Sequence, residues 1–523
     1  MANLLVDDWL PVGNHTRIRP SQIARSVWRD LHTPRPDFRG ALYQFLIGLL
    51  QTTYAPPDTG GWRECWNTPP TVDELEAAFA PYRNAFLLQN DGGPAFMQDL
   101  DLPADAGRLS VLDLLIDAGS DSNRFFNRPP ANYGLCESCC AQALMALQVN
   151  APAGGRGVRT SLRGGGPLTT LLLPADESST LWQKLWLNVL PLDALAHPPV
   201  SHPGDVLPWL VSTRTSDGPG ALETQPQLDP ARGEQHVHPL QCYWSMPRRI
   251  RLETDTAETG KCAICGDDEI RLIRHYRTRH GGTNYTGSWQ HPLTPYYIDA
   301  KGQKPPISAK GHQAGRGYRD WLGLVLGNGD HQPDAARVVD HFTAKVRSIN
   351  VRLWCFGFSM SNMKALCWYD STLPVHTIEP EVLPAFTRRV KQLLEHANDT
   401  ALLLHRQVKA ARFNRPADAA NEPAVQREFW QRSERLFYAA LAQLAAIDPE
   451  NDAALAPVCR RWLSQIRRLA LDLFDERTSS APAEALDLER IVNARAALEK
   501  DLNAGKYAKP LWAIVNASFE EVA

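Results

Sequence analysis

Two Cys-x-x-Cys pairs, separated by more than a hundred residues, constrain the fold of this chain more than any other feature. The first pair is Cys136 with Cys139, and the second is Cys262 with Cys265. Each pair places two sulfurs on one side of an ion, so together they supply the four ligands of a tetrahedral zinc site. Such a site has no open position for water. We therefore expect a structural Zn²⁺ that joins distant segments.

The second pair is the stronger signal, because Gly260 and Gly266 flank it and permit the tight turn that a metal knuckle needs. Cys140, next to Cys139, is a rival ligand. A set of unrelated buried cysteines is the alternative to a metal site. Thioredoxin-like redox chemistry is disfavoured, since neither pair begins an evident βαβ unit.

Cysteine usage and the amino terminus indicate the compartment. Ten cysteines in 523 residues are too few for a disulfide scaffold, and a reducing compartment suits zinc–thiolate ligation. The first residues lack a basic segment followed by a long apolar core, and no run approaches membrane-spanning length. We expect a cytoplasmic protein without membrane contact.

Positive charge is concentrated in segments that contain no carboxylate. The net charge of −3 argues against a protein generally coated with nucleic acid. Three windows nevertheless combine several arginines or lysines with no Asp or Glu: residues 138–175, 270–298 and 341–369. Local positive potential on a near-neutral body is typical of a protein that contacts phosphate at selected places. Chance clustering is the alternative for any one window.

The first window contains a glycine-rich run formed by Gly154, Gly155, Arg156 and Gly157. Backbone N–H groups approach phosphates or base edges only where no Cβ intervenes, so this run is a candidate nucleic-acid contact. No Gly-Lys-Ser/Thr follows, which excludes a Walker loop, and no Gly-x-Gly-x-x-Gly precedes a helix. A flexible surface loop is the alternative.

The other two windows each contain a further candidate contact. In the second, a run of basic residues ends at Arg279 and His280, which we interpret as phosphate or base contacts because no carboxylate accompanies them. In the third, a strand over residues 351–356 is followed by a turn at residues 357–364, and the tip formed by Ser361, Asn362 and Met363 combines an apolar wedge with a polar reader. Such a tip enters a minor groove and unstacks a base step. Metal ligation by histidines in the second window and a core-packed strand connection in the third are the alternatives.

Two further features of the sequence are an aromatic loop and a helical carboxyl-terminal region. One loop is either a hydrophobic plug or a contact surface, and it is formed by Phe125, Phe126, Asn127 and Arg128. Towards the carboxyl terminus, apolar residues follow 3.6 periodicity in four amphipathic helices with short connections. We therefore expect an α+β protein, with a large mixed α/β, zinc-bearing domain over residues 1–375 and an all-α four-helix bundle over residues 376–523.

These motifs, in this order and spacing, resemble the CasA family, the large subunit of the type I-E CRISPR surveillance complex Cascade. The resemblance covers essentially the whole chain. It rests on the opening run at residues 3–12, Phe96-Met97-Gln98, Phe126-Asn127-Arg128-Pro129, the run from Ala151 to Gly165, and Gly260-Lys261-Cys262 with Cys265-Gly266.

The resemblance implies a binding subunit without an active site of its own. Members of that family recognise the protospacer-adjacent motif in double-stranded DNA and open the duplex so that the guide RNA pairs with its target. They also handle the displaced strand. The implied partners are motif-bearing duplex DNA, the 5′ handle of the guide CRISPR RNA, the backbone and small subunits of Cascade, and the helicase-nuclease that degrades the target. Sequence along the target is then read by base pairing.

Carried over by position, the family's glycine loop resembles residues 154–157, which would face the motif from the minor groove, where the base pattern is degenerate. The family's basic contact resembles His280, where some relatives have lysine, with Arg279 or Arg277 as other sources of charge. The wedge resembles residues 361–363, where some relatives have glutamine. The loop at residues 125–128 resembles the loop that docks onto the guide's 5′ handle and the neighbouring backbone subunit.

A zinc-dependent nucleic-acid hydrolase is the main alternative function. It requires an open metal site with histidines or carboxylates, such as His-Glu-x-x-His, and the sequence contains no such motif. His236 and His238 form a His-x-His pair, but only a glutamate and a glutamine precede them, which does not match such a motif. A transcription regulator requires a helix-turn-helix and usually a dimer, and neither is visible. We therefore expect no enzymatic activity.

Overall fold

The computed structural model describes most of the chain, and the structural statements below concern the described residues. These are residues 2–13, 15–118, 133–155, 157–195, 197–218, 221–227, 235–253, 258–268, 270–299, 301–311, 317–327, 333–361, 363–416, 423–479 and 487–520. The chain divides into two compact units. The first comprises Met1–Gly315 with Pro333–Thr372, and the second comprises Arg316–Gln332 with Leu373–Ala523.

Helices occur in both units and are numbered along the chain. Those of the first unit are α1 Pro36–Thr53, α2 Thr59–Asn67, α3 Val72–Phe79, α4 Glu137–Asn150, α5 Leu181–Trp186, α6 Leu192–Leu195, α7 Pro203–Val206 and α9 Arg337–His341. Those of the second unit are α8 Trp321–Leu326, α10 Leu383–Arg412, α11 Pro423–Ala445, α12 Asp452–Thr478, α13 Leu488–Ala504 and α14 Lys509–Glu520.

The strands are short, apart from one long hairpin. They are β1 Leu10–Gly13, β2 Thr16–Ile18, β3 Gly107–Ser110, β4 Leu135–Cys136, β5 Thr169–Pro174, β6 Glu223–Pro226, β7 His236–Val237, β8 Arg249–Glu253, β9 Thr259–Gly260, β10 Ile270–Ile273, β11 His275–Arg279, β12 Asn284–Tyr285, β13 Tyr296–Tyr297, β14 Ile307–Ser308, β15 Val351–Ser361 and β16 Lys364–Pro374. They form small sheets with the orders β1-β2, β4-β10-β9, β3-β11-β8, β12-β6-β7, β13-β14 and β16-β15-β5.

Helix α1 is the central helix of the first unit. Pro36 at its first position has a backbone φ suited to a helix start, and Asp37 follows in the first turn. Almost every later residue is buried, as expected for a helix that is apolar on most sides. Phe45 makes edge contacts, at centroid distances of 5.4 to 5.9 Å, with the rings of Trp9, Phe86, Phe96 and Trp244. Trp9 and Trp244 therefore lie in the core around α1.

Strands β10 and β11 are separated only by Arg274, yet they belong to different sheets. In β10, Leu272 pairs with Cys136 of β4. In β11, Tyr276 pairs with Leu109 of β3 on one side and with Leu252 of β8 on the other. The two successive strands of residues 270–279 therefore lead from the partner of Cys136 towards His280.

The hairpin of β15 and β16 is anchored in the core by its first strand. β15 pairs antiparallel with β5, from Val351 opposite Pro174 to Phe356 opposite Thr169. Nearly all of β15 as far as Ser359 is buried, because both of its faces are covered. Only its end is exposed, and this end carries the candidate wedge.

The second unit is helical, which together with the mixed first unit and its cysteine cluster confirms the predicted fold class. Helix α10 packs against α11, α12 and α13, and α12 also packs against α14. The periodicity predicted four helices in this region, and the structure adds α14. Pro510 lies in the first turn of α14, where proline is compatible with a helix. Within the described part of the chain, no helix combines the length and apolar character needed to span a bilayer.

Candidate metal centre and nucleic-acid interface

The four predicted cysteine ligands converge on one point. The sulfur atoms of Cys136, Cys139, Cys262 and Cys265 all lie within 4.8 Å of one another. The sulfurs of Cys136 and Cys265 are 3.7 Å apart. Zinc bound tetrahedrally at a Zn–S distance of about 2.3 Å places neighbouring sulfurs about 3.8 Å apart. The cluster therefore fits a four-coordinate metal ion.

Local backbone structure positions each pair. Cys136 ends β4 and caps α4, and its Sγ accepts a hydrogen bond of 3.4 Å from the backbone N–H of Cys139. In the second pair, the N–H of Cys262 donates to the Asp267 carbonyl at 2.8 Å, and that of Gly266 donates to the Cys262 carbonyl at 3.0 Å. These bonds close the knuckle between β9 and β10. The positive end of the α4 dipole also favours thiolates beside it.

The sulfurs interact strongly with one another. Hydrogen bonds with Cys136 and Cys139 hold the pKa of the Cys262 thiol below its ordinary value. Hydrogen bonds with Cys136 and Cys262 raise the pKa of the Cys139 thiol. Four thiolates at this separation repel one another, so a divalent cation is what permits all four to ionise. Zinc would supply this charge and leave no position for a water nucleophile.

Arg17 approaches the cluster from β2. Its Nη2 lies 3.6 Å from the sulfur of Cys265, and its guanidinium forms an ion pair with Asp267. Arg17 therefore offsets part of the negative charge of the four thiolates and ties the amino-terminal hairpin to the second knuckle. The sequence carries no signal for this residue, because it lies 248 positions from Cys265 and an arginine in a strand has no ligand signature.

Cys140 lies outside the cluster. It is fully buried, and its thiol donates to the Leu135 carbonyl at 3.9 Å. Helix α4 begins at Glu137, so the first turn directs Cys139 towards the other sulfurs and the next residue to a different face. Among the described residues, the cysteine cluster is the only group of three or more His, Cys, Asp or Glu side chains with ligand geometry. No histidine of residues 270–298, all of which the structure describes, belongs to such a group.

The glycine run and the end of β11 are in direct contact. The N–H of Gly281 donates to the Gly157 carbonyl at 2.8 Å. A Cβ at Gly157 would lie 3.1 Å from the Cβ of His280, and Gly157 has a φ of +77°. Both the close approach and the backbone conformation therefore require glycine. Gly154 and Gly155 are exposed beside this junction, so two separately predicted segments form one surface.

The arginines near His280 are paired with carboxylates from other segments. Arg277 Nε lies 2.9 Å from a Glu253 oxygen, and Arg279 Nη1 lies 2.8 Å from Asp105. Both guanidinium groups remain roughly half exposed, and His280 at the strand end is exposed as well. The second window contains no carboxylate in its own sequence. In the folded protein, carboxylates from other segments lie beside it and offset part of its positive charge.

The hairpin tip is exposed. Ser361, Met363 and Lys364 are all exposed, and Met363 has 54% of its surface accessible and a φ of +70°. A non-glycine residue with positive φ is uncommon and marks a tight turn. An exposed methionine at a turn is an apolar group without a core function, which fits the predicted wedge better than the alternative of a packed connection.

The stem of the hairpin reaches the glycine run through a second glycine segment, Gly164–Gly166. The N–H of Gly166 donates to the carbonyl of Asn150 at 3.2 Å, at the start of the loop that contains the glycine run. Gly166 also packs directly against the backbone of Phe358 in β15. The glycine run, the end of β11 and the hairpin stem are therefore contiguous within the first unit.

Several predicted site residues lie outside the described part of the chain. They are Arg156, Asn362, and the four residues of the candidate docking loop, Phe125, Phe126, Asn127 and Arg128. Their predicted roles stay predictions.

The fold is that of CRISPR-associated proteins. Thermobifida fusca Cse1 matches with a TM-score of 0.69 and 17% identity, over 98% of each chain. Thermus thermophilus CasA (Cse1) matches with a TM-score of 0.66 and 17% identity, over 96% of this chain and 100% of that chain. A chain from a CRISPR RNA-guided surveillance complex matches with a TM-score of 0.68 and 15% identity, over 96% and 99%. The model of the family CRISPR-associated protein Cse1 matches residues 3–473, so the chain belongs to the Cse1 family. The resemblance recognised in the sequence is thereby confirmed.

Proposed function

We propose that this protein is the non-catalytic, motif-recognising subunit of a type I-E CRISPR RNA-guided surveillance complex. It recognises the protospacer-adjacent motif in duplex DNA and opens the adjoining base pairs for guide pairing. The observation that carries this proposal is the contiguity of three segments: the glycine run, the strand end at His280 and the hairpin. Family membership and the similarity to a chain of a surveillance complex support it.

Motif recognition is assigned to the glycine run and His280. Gly154 and Gly155 are exposed and carry no side chain, so their N–H groups can approach base edges in a groove about 6 Å wide. Arg156 within this run supplies positive charge for the phosphates. His280 lies beside Gly157, so close that a Cβ on this glycine would be 3.1 Å from the histidine Cβ, and it contacts the backbone or a base edge. The minor groove separates A·T from G·C pairs only, so we expect tolerance of several motifs.

Duplex opening is assigned to Ser361, Asn362 and Met363. An apolar side chain inserted at a base step replaces part of the lost stacking, which otherwise costs a few kcal/mol per step. The exposed Met363 supplies that surface, and Ser361 and Asn362 supply hydrogen-bonding groups beside it. Lys364 follows directly and contributes attraction to phosphate.

The metal is assigned a structural role. Zn²⁺ held by the four cysteines would fix the junction of β4, α4 and β10, from which β11 continues towards His280. The remaining roles follow the family. Residues 125–128 dock the subunit onto the guide's 5′ handle and the neighbouring backbone subunit, and the protein contacts the small subunits and recruits the helicase-nuclease. Such a complex works in the cytoplasm, where its DNA target is accessible.

The proposal is tested in a complex reconstituted with guide RNA and partner subunits. Motif-duplex affinity is measured by gel shift, and opening is measured by 2-aminopurine fluorescence at the first protospacer base pair. We expect Asn362→Ala with Met363→Ala to slow opening by about 10- to 100-fold, equivalent to a few kcal/mol of unstacking. Affinity for the motif should change by less than about threefold, because phosphate contacts dominate it.

Leu366→Ala is the matched control, since Leu366 is an apolar residue with 47% exposure on the same hairpin but away from the tip. It should leave both measurements unchanged. Equal losses of affinity and opening in the tip variant, or an equal effect of Leu366→Ala, would contradict the wedge role. Metal-dependent cleavage of DNA by the isolated chain would instead support the hydrolase alternative.

A further inference from the structure

The glycine segment Gly164–Gly166 directly follows Arg163, whose side chain is fixed in the core. Arg163 is only 4% exposed, and its guanidinium donates to neutral acceptors at Thr169 Oγ1 (3.0 Å), Thr294 Oγ1 (2.9 Å) and Gln44 Oε1 (2.5 Å). Its backbone carbonyl accepts hydrogen bonds from Ser308 and Lys310. A buried guanidinium is tolerated only when its donors are satisfied in a fixed geometry. The segment therefore starts from a rigid point.

One side of this segment contacts the loop that contains the glycine run. A Cβ at Gly165 would lie 3.2 Å from the Cα of Pro152 and 3.6 Å from the carbonyl oxygen of Ala151. The N–H of Ser161 donates to that same carbonyl at 3.1 Å, and that of Gly166 donates to Asn150 at 3.2 Å. The base of the loop is thus held by backbone contacts, which have little freedom to adjust.

The other side contacts the hairpin stem. A Cβ at Gly166 would overlap the carbonyl oxygen of Phe358 and would lie 2.7 Å from the Cγ of Met360. The Gly166 carbonyl also accepts a 3.2 Å hydrogen bond from Gly311. Met360 immediately precedes Ser361, so this contact lies at the base of the exposed tip. At Phe358 the contact is backbone against backbone, so no side chain lies between the two to absorb a displacement.

We infer that Gly164–Gly166 is a positioning element that couples the motif-facing loop to the duplex-opening hairpin. A shift of the loop on binding a motif is passed through Gly165 and Gly166 to Phe358 and Met360, and so to the tip. The inference rests on the proposed function and deepens it, because it explains how recognition at one segment directs opening at another. Coupling through packed contacts of this kind changes a rate or an equilibrium by roughly 2- to 30-fold.

Gly166→Ala is the test, and Gly92→Ala is its matched control. Both glycines have positive φ, +58° and +70°, but a Cβ at Gly92 meets nothing within 4 Å. The two substitutions therefore introduce similar backbone strain, and only one disturbs the hairpin stem. In the reconstituted complex we expect Gly166→Ala to slow opening by about tenfold relative to Gly92→Ala. Affinity for the closed motif duplex should change by less than about threefold.

A duplex with its first protospacer base pairs already unpaired separates positioning from general damage. Guide pairing with this DNA should return to the wild-type rate in Gly166→Ala, whereas a merely structural defect would lower every readout. Met360→Ala removes the stem side chain without adding strain, so the same selective loss is expected there. It decides the case if Gly166→Ala does not assemble.

The inference is overturned if Gly166→Ala or Met360→Ala opens the duplex at the rate of Gly92→Ala. It is also overturned if the DNA with unpaired first base pairs does not restore guide pairing in Gly166→Ala. If the wild-type complex and these variants all bind and open motif duplexes, the inference fails and the proposed function stands. A wild-type complex that never opens a motif duplex overturns the proposed function and this inference with it.

Discussion

Cys139 and Cys140 are adjacent, buried thiols in the same turn of helix, and the structure assigns them opposite consequences on substitution. Cys139 belongs to the four-sulfur cluster, whereas the thiol of Cys140 donates to the carbonyl of Leu135. We expect Cys139→Ser to lose the metal and much of its stability. We expect Cys140→Ser to keep the metal.

The magnitudes differ enough to measure. A structural zinc site contributes about 10–16 kcal/mol, so the loss of one of four ligands weakens binding by about 3 kcal/mol, or roughly 100-fold. That is a large fraction of a stability of about 5–15 kcal/mol. In Cys140→Ser the new hydroxyl can still donate to Leu135, so the loss is limited to about 1–2 kcal/mol for burying a more polar group.

Zinc content is measured by elemental analysis after dialysis against a chelator, and stability is measured by urea unfolding. We expect one zinc per chain in the wild-type protein and in Cys140→Ser, and less than one in Cys139→Ser. The metal assignment would be refuted by full zinc retention in Cys139→Ser. Equal zinc loss in the two variants would refute the distinction between the two thiols.

Two further predictions concern buried charge. Burial lowers the pKa of His396 from 6.5 to about 4, and its Nδ1 accepts a hydrogen bond from Trp462. The unfolded state therefore binds the proton more readily, and stability falls from pH 6.5 towards pH 4, by about 2 kcal/mol at pH 5. His396→Gln should lessen this loss in urea unfolding across pH, and an unchanged pH profile would contradict the assignment. Asp30 accepts from Arg39 and Lys184, each at 2.9 Å. Asp30→Asn should lower the unfolding free energy by about 3 kcal/mol, since it leaves the buried Lys184 without its counter-charge; a loss below about 1 kcal/mol would show that the pair contributes little.

The cysteine cluster was predictable from sequence because its chemistry is local. Two Cys-x-x-Cys turns specify their own geometry, and any fold that brings them together produces four converging sulfurs. The choice between Cys139 and Cys140 was open, because it depends on where α4 begins. Arg17 was out of reach, since its contact with Cys265 joins residues 248 positions apart and depends on the tertiary fold and not on any spacing.

Charge along the chain was a poorer guide than cysteine spacing. The second window contains no carboxylate, yet Arg277 and Arg279 are paired with Glu253 of β8 and with Asp105. Sequence windows report neighbours along the chain, whereas strand register decides neighbours in space. The helical unit shows a related limit. Proline is usually read as a helix boundary, yet α12 is capped by Asn451 and contains Pro457 as an interior residue.

The four-cysteine cluster and the candidate DNA contact are linked through two successive strands that belong to different sheets. Leu272 of β10 pairs with Cys136, so the register of β10 is fixed at the four-sulfur cluster. A single residue, Arg274, separates β10 from β11, whose pairing with β8 continues to Arg279 opposite Arg249. His280 follows immediately and meets Gly157. A strand register admits no small adjustment, since a one-residue slip would turn every side chain of β11 to the other face. An ion at the cluster would therefore set the position of His280 without approaching DNA. Under the proposed function, this gives a structural reason for a metal with no open coordination position.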